Sequence, residues 1–255
     1  MDIEKRKSSL DFEKEFLDEK SQTYVAGKSL QDNLIRGLSV RTFEPFINPG
    51  IGLEFGCSDG YMTELLSKKL MQLDVIEGSE KFIKKAKERN LKNVAFVHCL
   101  FEEFKPIKQY NYIFCCYVLE HVFNVSKILK VVRHAIHPEG LLFVVVPNSR
   151  ALSRQLAYHM GLIQHLKALT PNDLNHGHRR VYDRVSLERD LEKAGFVSVA
   201  QGGIMLKFLA DFQMDKLLKM NILHKPQIEG LYKLGCEYPD LCGSIYSICK
   251  VKIQK

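Results

Sequence analysis

Residues 53–66, LEFGCSDGYMTELL, decide how the chain is read. An apolar run leads into a glycine-bearing turn and then into a helix-like pattern. A strand, a tight turn and a helix N-terminus together make a ligand site. Backbone N–H groups point at the ligand, and a glycine without Cβ lets it approach closely. Gly56 and Gly60 supply the turn. A dinucleotide fingerprint asks for Gly-x-Gly-x-x-Gly. Here the three places hold Gly56, Ser58 and Tyr61, and Tyr61 would block close packing on a pyrophosphate. The run reads instead Glu54-x-Gly56-x-x-x-Gly60. An acidic residue ending the second strand reaches ribose hydroxyls in such sites, and Glu77 stands 21 residues after Gly56.

Outward from this loop, strands and helices alternate. The spacing of Leu30, Leu34, Leu38 and Phe46 predicts an amphipathic helix over 29–46, closed by Pro49-Gly50. IGLEF (51–55) and LDVIEG (73–78) read as strands around the helix GYMTELLSKKL. Ser79 is a helix cap for SEKFIKKAKERN, whose buried face is Phe82, Ile83 and Ala86. Strands follow at 93–99, 110–119 and 141–148, with a helix over 126–136 stopped by His137-Pro138-Glu139-Gly140. Near-continuous apolar strands between amphipathic helices mean a parallel sheet covered on both faces. After Asn148 the pattern changes. A helical piece, ALSRQLAYHMGLIQHL, precedes a polar, loop-like TPNDLNHGHRRVYDR. A helix capped by Gly195, a strand at 196–204, a mostly helical 205–235 and an alternating strand at 243–253 complete the chain. The expectation is one domain over 1–255. Its parts are a helical lead (1–48), a cofactor-binding half (49–148) and acceptor-side insertions at 149–185 and 203–240.

Composition sets the bounds. A chain of 255 residues can bury a full core, and 45% hydrophobic with 26% charged residues is ordinary for a globular protein. No stretch is long and apolar enough for a membrane span, and the charged start MDIEKRKSSLDFEKEF has no signal-like apolar core. The seven cysteines match no common zinc or disulfide frame, which fits buried reduced thiols and a cytoplasmic location. The net charge of +7 is spread along the chain rather than packed in a tract, so nucleic acid is not the expected partner.

The sequence resembles the class I S-adenosylmethionine-dependent methyltransferases over roughly residues 25–205. The carriers are LEFGCSDG, VIEGSEKFIKKAK, FVHCLFEEF, YNYIFCCYVLEHV, PEGLLFVVVPN and HGHRRVYDRVSLERDLEKAGF, in order and spacing. The departure is Ser58, a small residue at the family's middle glycine. The resemblance implies a Rossmann-like three-layer sandwich. Its seven-stranded, mostly parallel sheet has the last strand antiparallel, and a helical insertion forms a lid. It also implies roles. Gly56 and Gly60 let the loop pass under the methionine part of the cofactor, and Glu54 orients that loop or holds the amino group. Glu77, with Gly78 beside it, takes the ribose hydroxyls, and Leu100 and Phe101 flank the adenine. Tyr117 offers a backbone carbonyl to the ammonium, and Tyr24 and Lys28 cover the carboxylate. Core packing is an equal reading for Phe101 and the commoner one for Tyr24.

Sulfonium methyl transfer needs positioning, and a hydroxyl acceptor also needs its proton removed, for which histidine is suited. His121 and His178 are the candidate catalytic residues, against the bland reading of hydrogen-bonded structural histidines. Asn148, His176, Arg179, Arg180 and Tyr182 are candidate acceptor contacts. Arginine forks suit an anionic acceptor, although a surface pair or an ion pair to Asp173 or Asp183 is the slightly commoner reading. Met160, Met205, Met214 and Met220 are weighed as pocket lining against plain packing. No metal is expected, since His176-x-His178 has no nearby cysteine and the chemistry does not demand an ion. The lead YVAGKSLQDNLIRGL with later segments resembles bacterial enzymes associated with surface polysaccharide. On that resemblance the acceptor is a nucleotide-linked sugar or phosphoramidate-type capsule precursor, O-methylated. The alternatives are N-methylation of an amino sugar or other metabolite, and a non-catalytic cofactor-binding partner. An RNA methyltransferase would show an Asn/Asp-Pro-Pro-aromatic motif where CCYVLEHV stands, and a nicotinamide oxidoreductase fails on the glycines.

Overall fold

The computed structural model describes residues 12–17, 19 and 29–252. After a helical piece at 12–17, the elements are α1 (Leu30–Phe43), β1 (Ile51–Phe55), α2 (Tyr61–Ser67), β2 (Gln72–Glu77), α3 (Glu80–Lys87), β3 (Val94–His98) and β4 (Tyr110–Cys116). They continue with α4 (Val125–Ala135), β5 (Ile136–Pro147), α5 (Leu152–His159), α6 (Pro171–Asn175), α7 (Arg184–Lys193), β6 (Phe196–Gly203), α8 (Asp211–Lys219), α9 (Lys225–Glu237) and β7 (Ser244–Val251).

The seven strands form one sheet in the order β3-β2-β1-β4-β5-β7-β6. Neighbours from β3 through β5 are parallel, and β7 runs antiparallel to both β5 and β6. Side chains alternate between the two faces because the strand period is two. Leu53, Ile113 and Val144 face one layer, where Ile128, Leu129 and Val132 of α4 and Leu187 and Leu191 of α7 cover them. Phe114, Phe143 and Val145 face the other, against Phe43 of α1 and Leu66 of α2. Phe114 and Phe143 stack at 4.9 Å, and Phe43 lies 4.8 Å from Phe143. Burial on both faces is why β4 and β5 are almost wholly apolar. The strand order reverses between β1 and β4, and at such a reversal the loops part to leave a ligand crevice at the C-terminal strand edge.

Three local expectations are corrected. His137–Gly140 is not a loop: β5 begins at Ile136, which pairs with Tyr110 before the register shifts. The ladder with β4 resumes at Leu141 opposite Tyr112, so 137–140 bulge out within the strand where the Pro-Gly signal lies. The helix expected over 151–166 stops at His159, and Gly161 takes φ +74° just beyond it. The segment 171–175 is a short helix rather than loop. Thr170 caps it, with Asp173 returning the bond and Pro171 in the first turn.

The seven cysteines are free thiols, with Cys57, Cys115, Cys242 and Cys249 buried and Cys236 exposed. Among the described residues, no helix is long and apolar enough to cross a membrane.

Gly60 caps α2 at φ +74°, and a Cβ on it would lie 2.9 Å from the Ala86 backbone. Gly161 has the same φ with nothing within 4 Å. Gly60→Ala is therefore expected to cost about 2–4 kcal/mol in denaturant unfolding, combining strain and overpacking, against about 1 kcal/mol for Gly161→Ala.

Candidate active site

The loop after β1 turns through left-handed backbone at Gly56 (φ +77°), Ser58 (φ +48°) and Gly60. Serine at φ +48° costs about 1 kcal/mol, where the resembling family has glycine. The loop is held by Glu77 at the end of β2. Glu77 Oε2 accepts from the backbone N–H of Cys57 (3.1 Å) and Ser58 (3.5 Å), and Oε1 accepts from Ser79 N–H (2.9 Å). Burial raises its pKa, and these amides pull it back. Asp59 anchors the far side of the loop, receiving Arg36 of α1 at 2.6 Å.

Glu54 is buried beneath the same loop. Its Oε2 has no hydrogen-bond partner, and burial pushes the carboxyl up to about 8. Phe101 lies across Gly56, with its ring edge 3.5 Å from where a Cβ would stand. Tyr117 follows β4 with φ +58°, and its hydroxyl donates to Ser244 Oγ at 3.1 Å.

These residues open into one cavity of about 750 Å³. Of the expected site residues, Glu54, Gly56, Glu77, Gly78, Leu100, Phe101, Tyr117, His121, Asn148, His176 and His178 line it. Gly60 does not, because Ala86 presses against it from α3. Tyr24 and Lys28 lie outside the described residues. Asn148 lines the wall with its amide engaged: it donates to the carbonyls of Asp240 and Cys242, both at 2.9 Å. None of the four weighed methionines lines the cavity. Met205 and Met214 are core, and Met160 and Met220 are exposed.

Arg179, Arg180 and Tyr182 are corrected as acceptor contacts, for none is in the lining. Arg180 instead donates to the carbonyls of Leu119 (2.6 Å), Val122 (2.5 Å) and Phe123 (3.0 Å). The Arg179 guanidinium donates to His121 O (2.7 Å) and Glu13 (2.9 Å), while its backbone N–H donates to Glu120 O (2.8 Å). The two arginines thus staple the loop after β4 to the loop after α6. Tyr182 is buried, with its hydroxyl on Asp190.

The staple assembles a cluster that sequence spacing hides. One ligand-type atom each of Glu120, His121 and His178 lies within 4.8 Å of the other two. The His121 and His178 rings meet edge to face at 4.8 Å. Glu120 is 1% exposed, neither carboxylate oxygen has a hydrogen-bond partner, and burial pushes it up to about 7. Burial, then the neighbouring His178, pushes His121 down to about 3, so its imidazole is neutral and a weak base. His178 Nδ1 meets Asp173 Oδ1 at 3.1 Å. Burial opposes ionisation of Asp173, but His178, Thr170 and Arg154 together hold it far below the usual carboxylate range. Glu120 escaped the sequence reading. Its available signal was an acid at the C-terminal sheet edge beside a histidine.

Among the described residues, every arginine and lysine lining the cavity already has an acidic partner. Arg36 pairs with Asp59, Arg154 with Asp173 and Lys207 with Asp211.

With this geometry in view, residues 28–201 match the model of the methyltransferase domain family. The chain belongs to that family. A Rickettsia akari protein named ubiquinone biosynthesis O-methyltransferase is 30% identical over 116 residues, and the match spans 44% of each chain, less than half of that relative. The fold is similar to 1,6-didemethyltoxoflavin-N1-methyltransferase of Burkholderia thailandensis, solved with S-adenosylhomocysteine. The TM-score is 0.64 at 13% identity, over 98% of this chain and 94% of that one. It is also similar to the N-methyltransferase NodS of Bradyrhizobium japonicum WM9, solved with the same ligand. There the TM-score is 0.61 at 11% identity, over 92% and 98%. The domain has a Rossmann-like fold. The residues present fit a ligand of the S-adenosylmethionine type: Glu54 has an unpartnered buried oxygen in the cavity wall, and a Cβ on Gly56 would meet nothing nearer than 3.5 Å, which leaves an open cradle.

Arg180→Lys is expected to lower stability by about 2–4 kcal/mol in thermal unfolding, since an ammonium cannot span three carbonyls as the guanidinium fork does. S-adenosylhomocysteine affinity should stay within about threefold, because RT ln 3 of roughly 0.6 kcal/mol is the scale of a site untouched by the change.

Proposed function

We propose that the protein transfers a methyl group from S-adenosylmethionine to a hydroxyl or amine of a small, uncharged acceptor. The observation that carries this reading is the single cavity joining the Gly56–Glu77 loop to the Glu120–His121–His178 cluster. Its volume of about 750 Å³ lies in the upper part of the roughly 300–1,000 Å³ range of small-molecule sites. When bound, the cofactor supplies the methyl group: the acceptor's lone pair forms the new bond to carbon, and sulfur keeps the electrons of the broken one.

Glu54 receives the ammonium of the methionine moiety, Glu77 the ribose and Phe101 one face of the adenine. The segments 149–185 and 203–240 form the acceptor side, through Ala157, Ile163, Asp173, Asp211 and Phe212 on the cavity wall. There the Glu120–His121–His178 cluster faces the acceptor and positions its reacting group. An anionic acceptor such as a nucleotide-linked sugar loses its support, since Arg179 and Arg180 are engaged elsewhere and the lining cations are paired. The names of the relatives span O- and N-methylation, so both acceptor atoms stay within the reading.

Two measurements test it. Glu54, at about 8 in the free protein, is protonated at pH 6.5 and must ionise to hold an ammonium. S-adenosylhomocysteine binding at pH 6.5 should then release close to one proton, read as a heat that varies with buffer ionisation enthalpy. Glu54→Gln should abolish the release and weaken binding by about 10–100-fold, the 1.5–3 kcal/mol of a charge-assisted bond. Deuteromethyl cofactor offered with neutral polyols, phenols and amines should give labelled products by mass spectrometry. Preferential labelling of phosphorylated or carboxylated analogues would overturn the uncharged-acceptor reading, and cofactor binding without labelling of any would overturn catalysis.

A further inference from the structure

The geometry points to a divalent transition-metal site built from Glu120, His121 and His178. The Glu120 carboxylate is 1% exposed, lines the cavity and has no hydrogen-bond partner at either oxygen. A buried carboxylate without a partner is unfavourable unless positive charge meets it. Arg179 and Arg180 do not hydrogen-bond to it, because their guanidinium groups are turned onto the carbonyls of 119, 121, 122 and 123, and Arg180 acts on it only at a distance. What faces Glu120 instead is a pair of imidazoles, with one ligand atom from each of the three residues inside a 4.8 Å span. Closing that span to the roughly 3.3 Å between tetrahedral ligands at 2.0–2.1 Å bonds is within side-chain rotation.

The surroundings are those of metal ligands. A ligating histidine usually holds its second ring nitrogen against a carboxylate or a backbone carbonyl, which fixes the ring. His178 does so through Nδ1 to Asp173, itself fixed by the Thr170 N–H (2.8 Å) and hydroxyl (2.7 Å). No hydrogen bond at the second ring nitrogen of His178 is found among the described residues. The arginine staple holds the Glu120–His121 backbone against the His178 loop, so the three ligands are preorganised.

Two imidazole nitrogens with one carboxylate oxygen suit zinc, iron, manganese or nickel rather than calcium or magnesium, which prefer all-oxygen shells. Three protein ligands leave positions open toward the cavity. Those positions take hydroxyl oxygens of the acceptor, so the ion supplies the positive charge that the paired lining cations do not. This role rests on the methyl-transfer reading above; the binding of the ion does not.

The test uses the full chain, stripped with EDTA and dialysed. It is titrated with zinc(II) and manganese(II) by calorimetry, and with cobalt(II) by visible absorption. One ion per chain is expected, with imidazole-type d–d bands for cobalt. Glu120→Gln, which keeps the shape, and His178→Ala should each weaken binding at least tenfold, and Asp173→Asn by about 10–100-fold. His176→Ala should leave affinity within threefold. S-adenosylhomocysteine binding, measured alongside, confirms that each variant is folded. No stoichiometric binding by the unaltered protein would overturn the site. So would affinity unchanged in Glu120→Gln but lost in His176→Ala, the mark of an adventitious ion only. Ion binding without methyl transfer leaves the site standing and fails the functional reading. Undiminished transfer after stripping, with no ion bound, does the reverse.

Discussion

Glu77 sits at the C-terminal end of β2 with three backbone N–H groups on its two oxygens. Those amides belong to two different turns, one after β1 and one before α3. A single carboxylate therefore fixes both against each other at the C-terminal edge of the adjacent strands β1 and β2. The left-handed backbone at Gly56 and Ser58 persists because this clamp over-determines it. The loop geometry on this side thus depends on one buried carboxylate held mainly by backbone N–H groups, with the Cys57 thiol as the one side-chain donor among the described residues.

The acceptor side is organised by the opposite kind of contact. There guanidinium groups meet main-chain carbonyls. Arg179 and Arg180 bind the loop after β4 to the loop after α6, and the bonds lie on the outside of the cavity. The result is a wall whose inner surface carries Glu120, His121 and His178 without a guanidinium among them. The side chains that suggest an anion site in the sequence are engaged in the fold with main-chain carbonyls.

The cofactor half was largely legible in the sequence. Strand and helix positions follow from hydrophobic period, and Gly56, Glu77 and the Ser79 cap follow from local chemistry at strand ends. Element boundaries failed where long-range pairing prevailed, as at Ile136, or where a local cap was overlooked, as at Thr170. At Gly60 the structure adds a constraint that the sequence does not show, since a Cβ there would meet Ala86 of α3. Glu120 was passed over beside His121 because a lone acid after a strand looks like any solvated carboxylate until its burial is known.

By itself the sequence determined the layered α/β architecture, the glycine turn and the presence of an acidic residue at the end of the second strand; that this residue clamps the turn is seen only in the structure. Each is written in residues close along the chain, where periodicity and backbone conformation act locally. Only the tertiary structure decided which charges pair. The arginines of the 179–180 stretch could face solvent, substrate or main chain, and packing alone turned them onto carbonyls. The meeting of Glu120 and His121 with His178 likewise needs β4 and the loop after α6 brought together, and no local pattern encodes a contact between segments so far apart in sequence.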